Sequence, residues 1–191
     1  IPCMVVHNTE KYHSWDLVVG APGEDIGTRN SAGAVTVVNG VHDYPPVVFP
    51  SESWNQDSPG VPGAAEAGDQ FGYSVATSVV DSYAPGSKQH VAVGAPGEAI
   101  GSRAAAGAVQ LFSSTGPGLV PGKSISQDAA GVLGTAEKGD RFGYRVALLN
   151  TPKLRLAVSI PYEDIGSVTD AGSVQVFTVS NPADDQAYDA D

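Results

Sequence analysis

Apolar residues in this chain fall in short runs, each closed by glycine, proline or a polar cluster. "FGYSVATSVV" begins at Phe71, "HVAVGAP" at His90 and "GAVQLF" at Gly107. Such runs, rich in β-branched and aromatic residues and bounded by turn formers, predict short β-strands. No window shows a convincing apolar stripe at i, i+3, i+4 and i+7, and most candidate windows contain glycine or proline, so no helix is predicted. Asn39-Gly40 predicts a tight hairpin turn leading toward "PPVVFPSESW".

The pattern repeats. "QDSPGVPGAAEAGDQFGY" (56–73) returns without gaps as "QDAAGVLGTAEKGDRFGY" (127–144), 71 positions on. A second block occurs three times: "DLVVGAPGEDIGTRNSAGAVTVV" from Asp16, "HVAVGAPGEAIGSRAAAGAVQLF" from His90 and "RLAVSIPYEDIGSVTDAGSVQVF" from Arg155. From Gly20 to Gly94 the offset is 74, and from Gly94 to Ser159 it is 65. Spacing within each block is constant, so the differences lie in connecting loops, where added length costs little. The chain thus divides into units of roughly 70 residues, near 1–55, 56–126 and 127–191, each of about four short strands. A four-stranded antiparallel meander cannot bury both its faces alone, and radial stacking of such sheets, as in a β-propeller, solves that. The tail "SNPADDQAYDAD" shows no run like the fourth strand of the first two units, which predicts two and a half to three complete units.

Composition fits an ordered all-β protein. Of 191 residues 41% are hydrophobic, and 23 glycines and 14 prolines are spread between the apolar runs. Acidic residues outnumber basic ones by 21 to 10, for a net charge of −11, which argues against nucleic acid and anionic membrane as partners. No apolar stretch is long enough to span a bilayer as a helix. The single cysteine, Cys3, excludes a disulfide within the chain and reads as a small buried hydrophobe.

Phe71-Gly72 with Gly94-Ala95-Pro96, and Phe142-Gly143 with Ser159-Ile160-Pro161, form two motif pairs, and Gly20-Ala21-Pro22 begins a third. In these the chain resembles the FG-GAP repeats of the integrin α-subunit propeller and of secreted bacterial proteins. The long lead-in to each Phe-Gly is nearer the bacterial type. The resemblance covers nearly the whole chain and implies a β-propeller of four-stranded antiparallel blades, in a ring of about seven. Three units do not close such a ring. Further blades, from the same or another polypeptide, are therefore the expected partners, and a secreted or extracellular location is implied. Packing roles are expected for the motif residues: Phe71, Tyr73, Phe142 and Tyr144 on innermost strands, buried between adjacent sheets, and Gly where backbones approach closely.

Many members of that family hold calcium between the first two strands of a blade, on a D-x-D-x-D-G-x-x-D pattern. Aligning its last position with Asp16 puts Asn8, Glu10 and Tyr12 at the first three ligand positions, and His13 where glycine is usual. Asn8, Glu10 and Asp16 are the candidate Ca2+ ligands of a degenerate loop. In unit two the corresponding residues are Ser82, Ala84, Gly86 and His90. In unit three the last position is Arg155 and the loop is too short, so calcium is expected in the first unit only.

No nucleophile elbow, zinc-protease helix or phosphate loop is present, so no catalytic residue is assigned. Glu24-Asp25 and Glu163-Asp164, with Glu98 alone in unit two, recur just after the Gly-Ala-Pro position, which points to turn chemistry. His7, His13, His42 and His90 fall in loops or at strand ends in unlike contexts. The loops "GEDIGTRNSAG", "GEAIGSRAAAG" and "YEDIGSVTDAG" would face a ligand if the resemblance holds. Arg29 and Arg103 recur there, with Val168 in unit three, while Ile26, Ile100 and Ile165 would plug the loops onto the sheets. Trp15, Arg29 and Arg103 are the candidate ligand contacts. Two functions follow: a non-catalytic binding or adhesion module for a protein or glycan, or a scaffold propeller attached to a hydrolase whose active site lies outside these residues.

Overall fold

The computed structural model describes residues 3–7, 15–39, 41–42, 47–48, 51–78, 89–114, 118–150, 153–179 and 188–190. Every regular element among them is a strand. In chain order these are β1 (Cys3–His7), β2 (Trp15–Ala21), β3 (Ala34–Val38), β4 (Val41–His42), β5 (Val47–Val48), β6 (Glu52–Trp54), β7 (Ser74–Thr77), β8 (Gln89–Ala95), β9 (Ala108–Ser114), β10 (Val120–Ile125), β11 (Arg145–Asn150), β12 (Leu154–Ile160), β13 (Ser173–Val179) and β14 (Tyr188–Ala190).

They form three four-stranded antiparallel sheets: β1-β2-β3-β6, β7-β8-β9-β10 and β11-β12-β13-β14. Each occupies one repeat unit. The third sheet corrects the sequence reading of the tail, because β14 pairs with β13 from Phe177↔Ala190 to Val179↔Tyr188. Three residues amid acidic neighbours carry too little pattern to announce a strand, yet the open edge of β13 accepts them. Gly40 of the turn expected at Asn39-Gly40 lies outside the described residues. β3 pairs with β6, and the small hairpin there is β4 with β5, Val41↔Val48, as an insertion between them.

Two apolar clusters bind the sheets in series. Val18, Val35 and Val37 of the first sheet meet Val75, Val91, Val93 and Phe112 of the second, with Phe71 among them. Ala92, Val109 and Leu111 on the second sheet's opposite face meet Leu156, Val158, Ile160 and Phe177 of the third, with Phe142 among them. Among the described residues, only the second sheet is covered on both faces. The alternation of strands explains this: in β8, Val91 and Val93 point one way, Ala92 and Gly94 the other.

Hydrogen bonds repeat at each junction. Gly68, Gln70 and Phe71 donate their N–H groups to the carbonyls of Asn30, Ser31 and Ala32, at 2.9, 3.0 and 2.9 Å. Gly139, Arg141 and Phe142 donate to Ala104, Ala105 and Ala106, at 3.1, 3.1 and 2.8 Å. Gly33 and Gly107 make this possible. A Cβ at either would collide with the backbone of Phe71 or Phe142, and both have φ near +90°.

Candidate functional site

Strand direction sorts the loops to two ends. β8 finishes at Ala95 beside the start of β7, since Ser74 pairs with Gly94, and β9 begins at Ala108 opposite Ala95. The loop 96–107 and the lead-in 55–73 therefore share one end, as do their counterparts in the other units. Trp15, the first residue of β2, lies at the other end, opposite His7 of β1. The seven residues of β2 span about 20 Å. The structure therefore separates Trp15 from the Arg29 and Arg103 loops, which the sequence grouped with it.

Arg29 and Arg103 are engaged in the same way. Ile26 and Arg29 exchange backbone hydrogen bonds, as do Ile100 and Arg103. Each arginine then donates its Nε to the isoleucine carbonyl at 3.2 Å. The Nη2 of Arg29 reaches Asp57, and that of Arg103 reaches Asp128, across the junction to the next lead-in. Those aspartates also accept from Ala65 N (3.0 Å) and Ala136 N (3.1 Å), tying the lead-in loop together. Sequence showed the repetition of the arginines; the aspartates, at constant spacing within the lead-ins, could have been found by asking what each repeated cation faces.

Of the candidate calcium ligands, Asn8 and Glu10 lie outside the described residues. Asp16 is buried in β2, opposite Val6 of β1. Among the described residues no group of three or more acidic, histidine or cysteine side chains is placed to hold a metal.

The repeated aspartates adopt turn roles, while Glu98 and Glu163 reach glutamines of their lead-ins. Asp25 Oδ1 accepts from Ser31 N, and Asp164 Oδ1 from Asp170 N, both at 2.8 Å. Glu98 accepts from Gln56 Nε2, and Glu163 from Gln127 Nε2. Burial pushes Glu98 up to about 7 and Asp69 to about 6, and it raises Glu163 and Asp140 as well. In each case a hydrogen bond from the neighbouring amide opposes the shift without cancelling it.

Phe71 and Phe142 are buried between sheets, as their repetition predicts. Tyr73 and Tyr144 are not: both are half-exposed and precede β7 and β11. Left-handed backbone at Gln70 and Arg141 (φ +58° each), with Gly72 and Gly143 also at positive φ, turns the chain so that Phe points in and Tyr points out. The two tyrosine rings meet, their centroids 4.9 Å apart. Arg145 lies over both, 5.3 Å from the Tyr73 ring and 4.9 Å from the Tyr144 ring, while Arg141 lies 5.6 Å from the ring of Tyr162. The sequence reading missed this cluster because it compared motifs for what they share. The signal was in the residues that differ, Gln70 against Arg141 and Ser74 against Arg145.

Compared with known proteins, the chain matches no protein-family model and no curated protein. No helix among the described residues is long and apolar enough to cross a membrane.

Proposed function

We propose that the chain is a section of an FG-GAP-type β-propeller. In this reading it is a non-catalytic binding module of a secreted or surface protein, offering the loops at one end to a protein or glycan. The observation that carries it is serial stacking: three sheets joined by the same three backbone hydrogen bonds at each junction, with all the 2–3 loops and lead-ins on one side. Further blades are the partners this requires. Val109 is 0% exposed on the second sheet, but its counterpart on the third, Val174, is 66% exposed. On the first sheet Leu17 and Val19 are half-buried where their counterparts Val91 and Val93 are fully covered. Leaving hundreds of Å² of such surface wet at ~25 cal/mol per Å² costs several kcal/mol, comparable with a domain's net stability. Calcium, if bound, belongs to the first unit's loop.

Size in solution tests the ring. These 191 residues, purified alone, are expected to self-associate or to unfold without cooperativity; a stable, cooperatively unfolding monomer refutes the closure argument. A glycan and protein array probed with the completed assembly tests the binding role. One observation favours the scaffold reading instead: Arg29 and Arg103 already hold the junctions together. If the whole gene product carries a hydrolase and its propeller end binds nothing on the array, the scaffold is the function.

A further inference from the structure

Units one and two each present a backbone cradle to the lead-in that follows, and unit three builds the same cradle. In unit one it is the carbonyls of Asn30, Ser31 and Ala32, and in unit two those of Ala104, Ala105 and Ala106, which accept from the incoming Phe-Gly segment. Their counterparts are the carbonyls of Thr169, Asp170 and Ala171. Backbone φ is +52° at Ser31, +54° at Ala105 and +52° at Asp170, and Gly33, Gly107 and Gly172 all have positive φ. Ile165 and Val168 exchange backbone hydrogen bonds as Ile26 and Arg29 do. Ala32 and Ala106 are buried under an incoming lead-in, whereas Ala171 is exposed and Val174 is 66% exposed.

The inner end of this face keeps a hydroxyl by a different route. At the second junction Ser74 Oγ donates to Gly143 O at 2.8 Å, and Ser74 pairs across the sheet with Gly94. A Cβ on Gly94 would lie 2.4 Å from Ser74 Oγ and 2.1 Å from Gly143 O. In unit three the same cross-strand pair is Arg145 with Ser159, so the hydroxyl has changed strands. Ser159 Oγ accepts from Arg145 N at 2.9 Å, which leaves its O–H to donate. A carbonyl meeting Ser159 must sit farther out than Gly143 does, where the hydroxyl rather than the backbone reaches it.

What unit three lacks is the cation. Arg29 and Arg103 hold Asp57 and Asp128 of the incoming lead-ins, and those aspartates are only about a third exposed. Position 168 is valine, and residues 162–172 carry Glu163, Asp164 and Asp170 with no lysine or arginine. Arg141 and Arg145 lie over the rings of Tyr162 and of Tyr73 and Tyr144 instead. An aspartate brought against Val168 would lose water without gaining a guanidinium.

We propose that the exposed face of unit three takes a Phe-Gly lead-in that is uncharged where this chain's own lead-ins carry Asp57 and Asp128. The Arg-Asp ties then select blade order. Acidic lead-ins fit the first two junctions and are disfavoured at the third, which opposes pairing of a repeated chain in the wrong order. This names the partner in the further-blade reading and rests on it. The test extends the full chain after Asp191 with a second copy of residues 127–191, isotope-labelled in that copy alone. Amide exchange across the labelled Phe-Gly segment reads docking, since its N–H groups are protected when the cradle accepts them. The added copy carries either the natural aspartate or Asp128→Asn, which can still accept from its own loop as Asp128 does from Ala136 N. Each is joined to the natural chain and to one with Val168→Arg in the original unit three. On the natural chain the Asp128→Asn copy is expected to exchange about threefold more slowly than the acidic copy, and on Val168→Arg about threefold faster, the size of a partly exposed ion pair. Equal protection, or any preference other than this reversal, overturns the selection and leaves the further-blade reading standing. No protection in any of these chains overturns both.

Discussion

Phe142→Ala should separate the third sheet from the second. The ring is 0% exposed, sits in the second apolar cluster and lies tilted against Phe177 with centroids 6.4 Å apart. Removing it withdraws about 150 Å² of apolar surface, worth ~4 kcal/mol at ~25 cal/mol per Å². That agrees with the ~3–5 kcal/mol usual for Phe→Ala in a core that only partly relaxes. For a chain of 191 residues such a loss lowers Tm by roughly 8–16 °C. Phe142→Leu keeps most of the volume and should cost only about 1–1.5 kcal/mol. Scanning calorimetry of the completed assembly reads both variants. Because the ring joins two sheets rather than completing one, the alanine variant should also broaden or split the transition, with unit three melting first. A drop of less than about 3 °C would mean that the ring is not the wedge between the sheets, and the stacked arrangement would fall with it.

Stability should rise as pH falls from 8 to 5. The folded-state pKa values of Glu98 and Asp69 are raised, so the stabilisation is complete below the unfolded values near 4 and is lost as pH climbs through about 6 to 7; thermal melts across that range check it, and Glu98→Gln should flatten the profile. Gly107→Ala should destabilise by several times the ~1 kcal/mol of backbone strain alone, because its Cβ meets Phe142's backbone, while Gly101→Ala, with open space around it, pays strain only; denaturant midpoints of the two variants distinguish them. Arg103→Met should cost only ~0.2–1 kcal/mol, since its ion pair with Asp128 is about a third exposed; a larger loss in urea melts would make the junction arginines more than ties. Any calcium-linked rise in Tm should vanish in Asp16→Asn and persist in His90→Gln, as read by melts with and without chelator.

Much of the architecture was legible because the repeat carries it. Most strand positions and the burial of Phe71 and Phe142 follow from apolar runs that recur at fixed spacing. What failed was local. β14 is too short and too acidic in context to show a pattern, and its pairing is decided by the waiting edge of β13. At Asn39-Gly40 the dipeptide signals a turn, but a hairpin needs flanking strands that pair, and β3 pairs with β6 rather than with the next strand, β4. Tyr73 and Tyr144 were grouped with their phenylalanines by sequence proximity. A positive φ just before each Phe-Gly, invisible in the sequence at Gln70 and Arg141, sends the two aromatic rings to opposite environments.

The site was harder to read for a related reason. Repetition marks what every unit needs, and every unit needs junctions; Arg29 and Arg103 recur because two junctions require the same tie to Asp57 and Asp128. Recurrence in a stacked protein is thus evidence for packing before it is evidence for binding. Unit three has no following lead-in among the described residues, and there Val168 replaces the tie. The same release acts at Ser74, whose hydroxyl donates to Gly143 O at 2.8 Å to close the second junction. Its counterpart Arg145 makes no such bond among the described residues and lies over the rings of Tyr73 and Tyr144 instead.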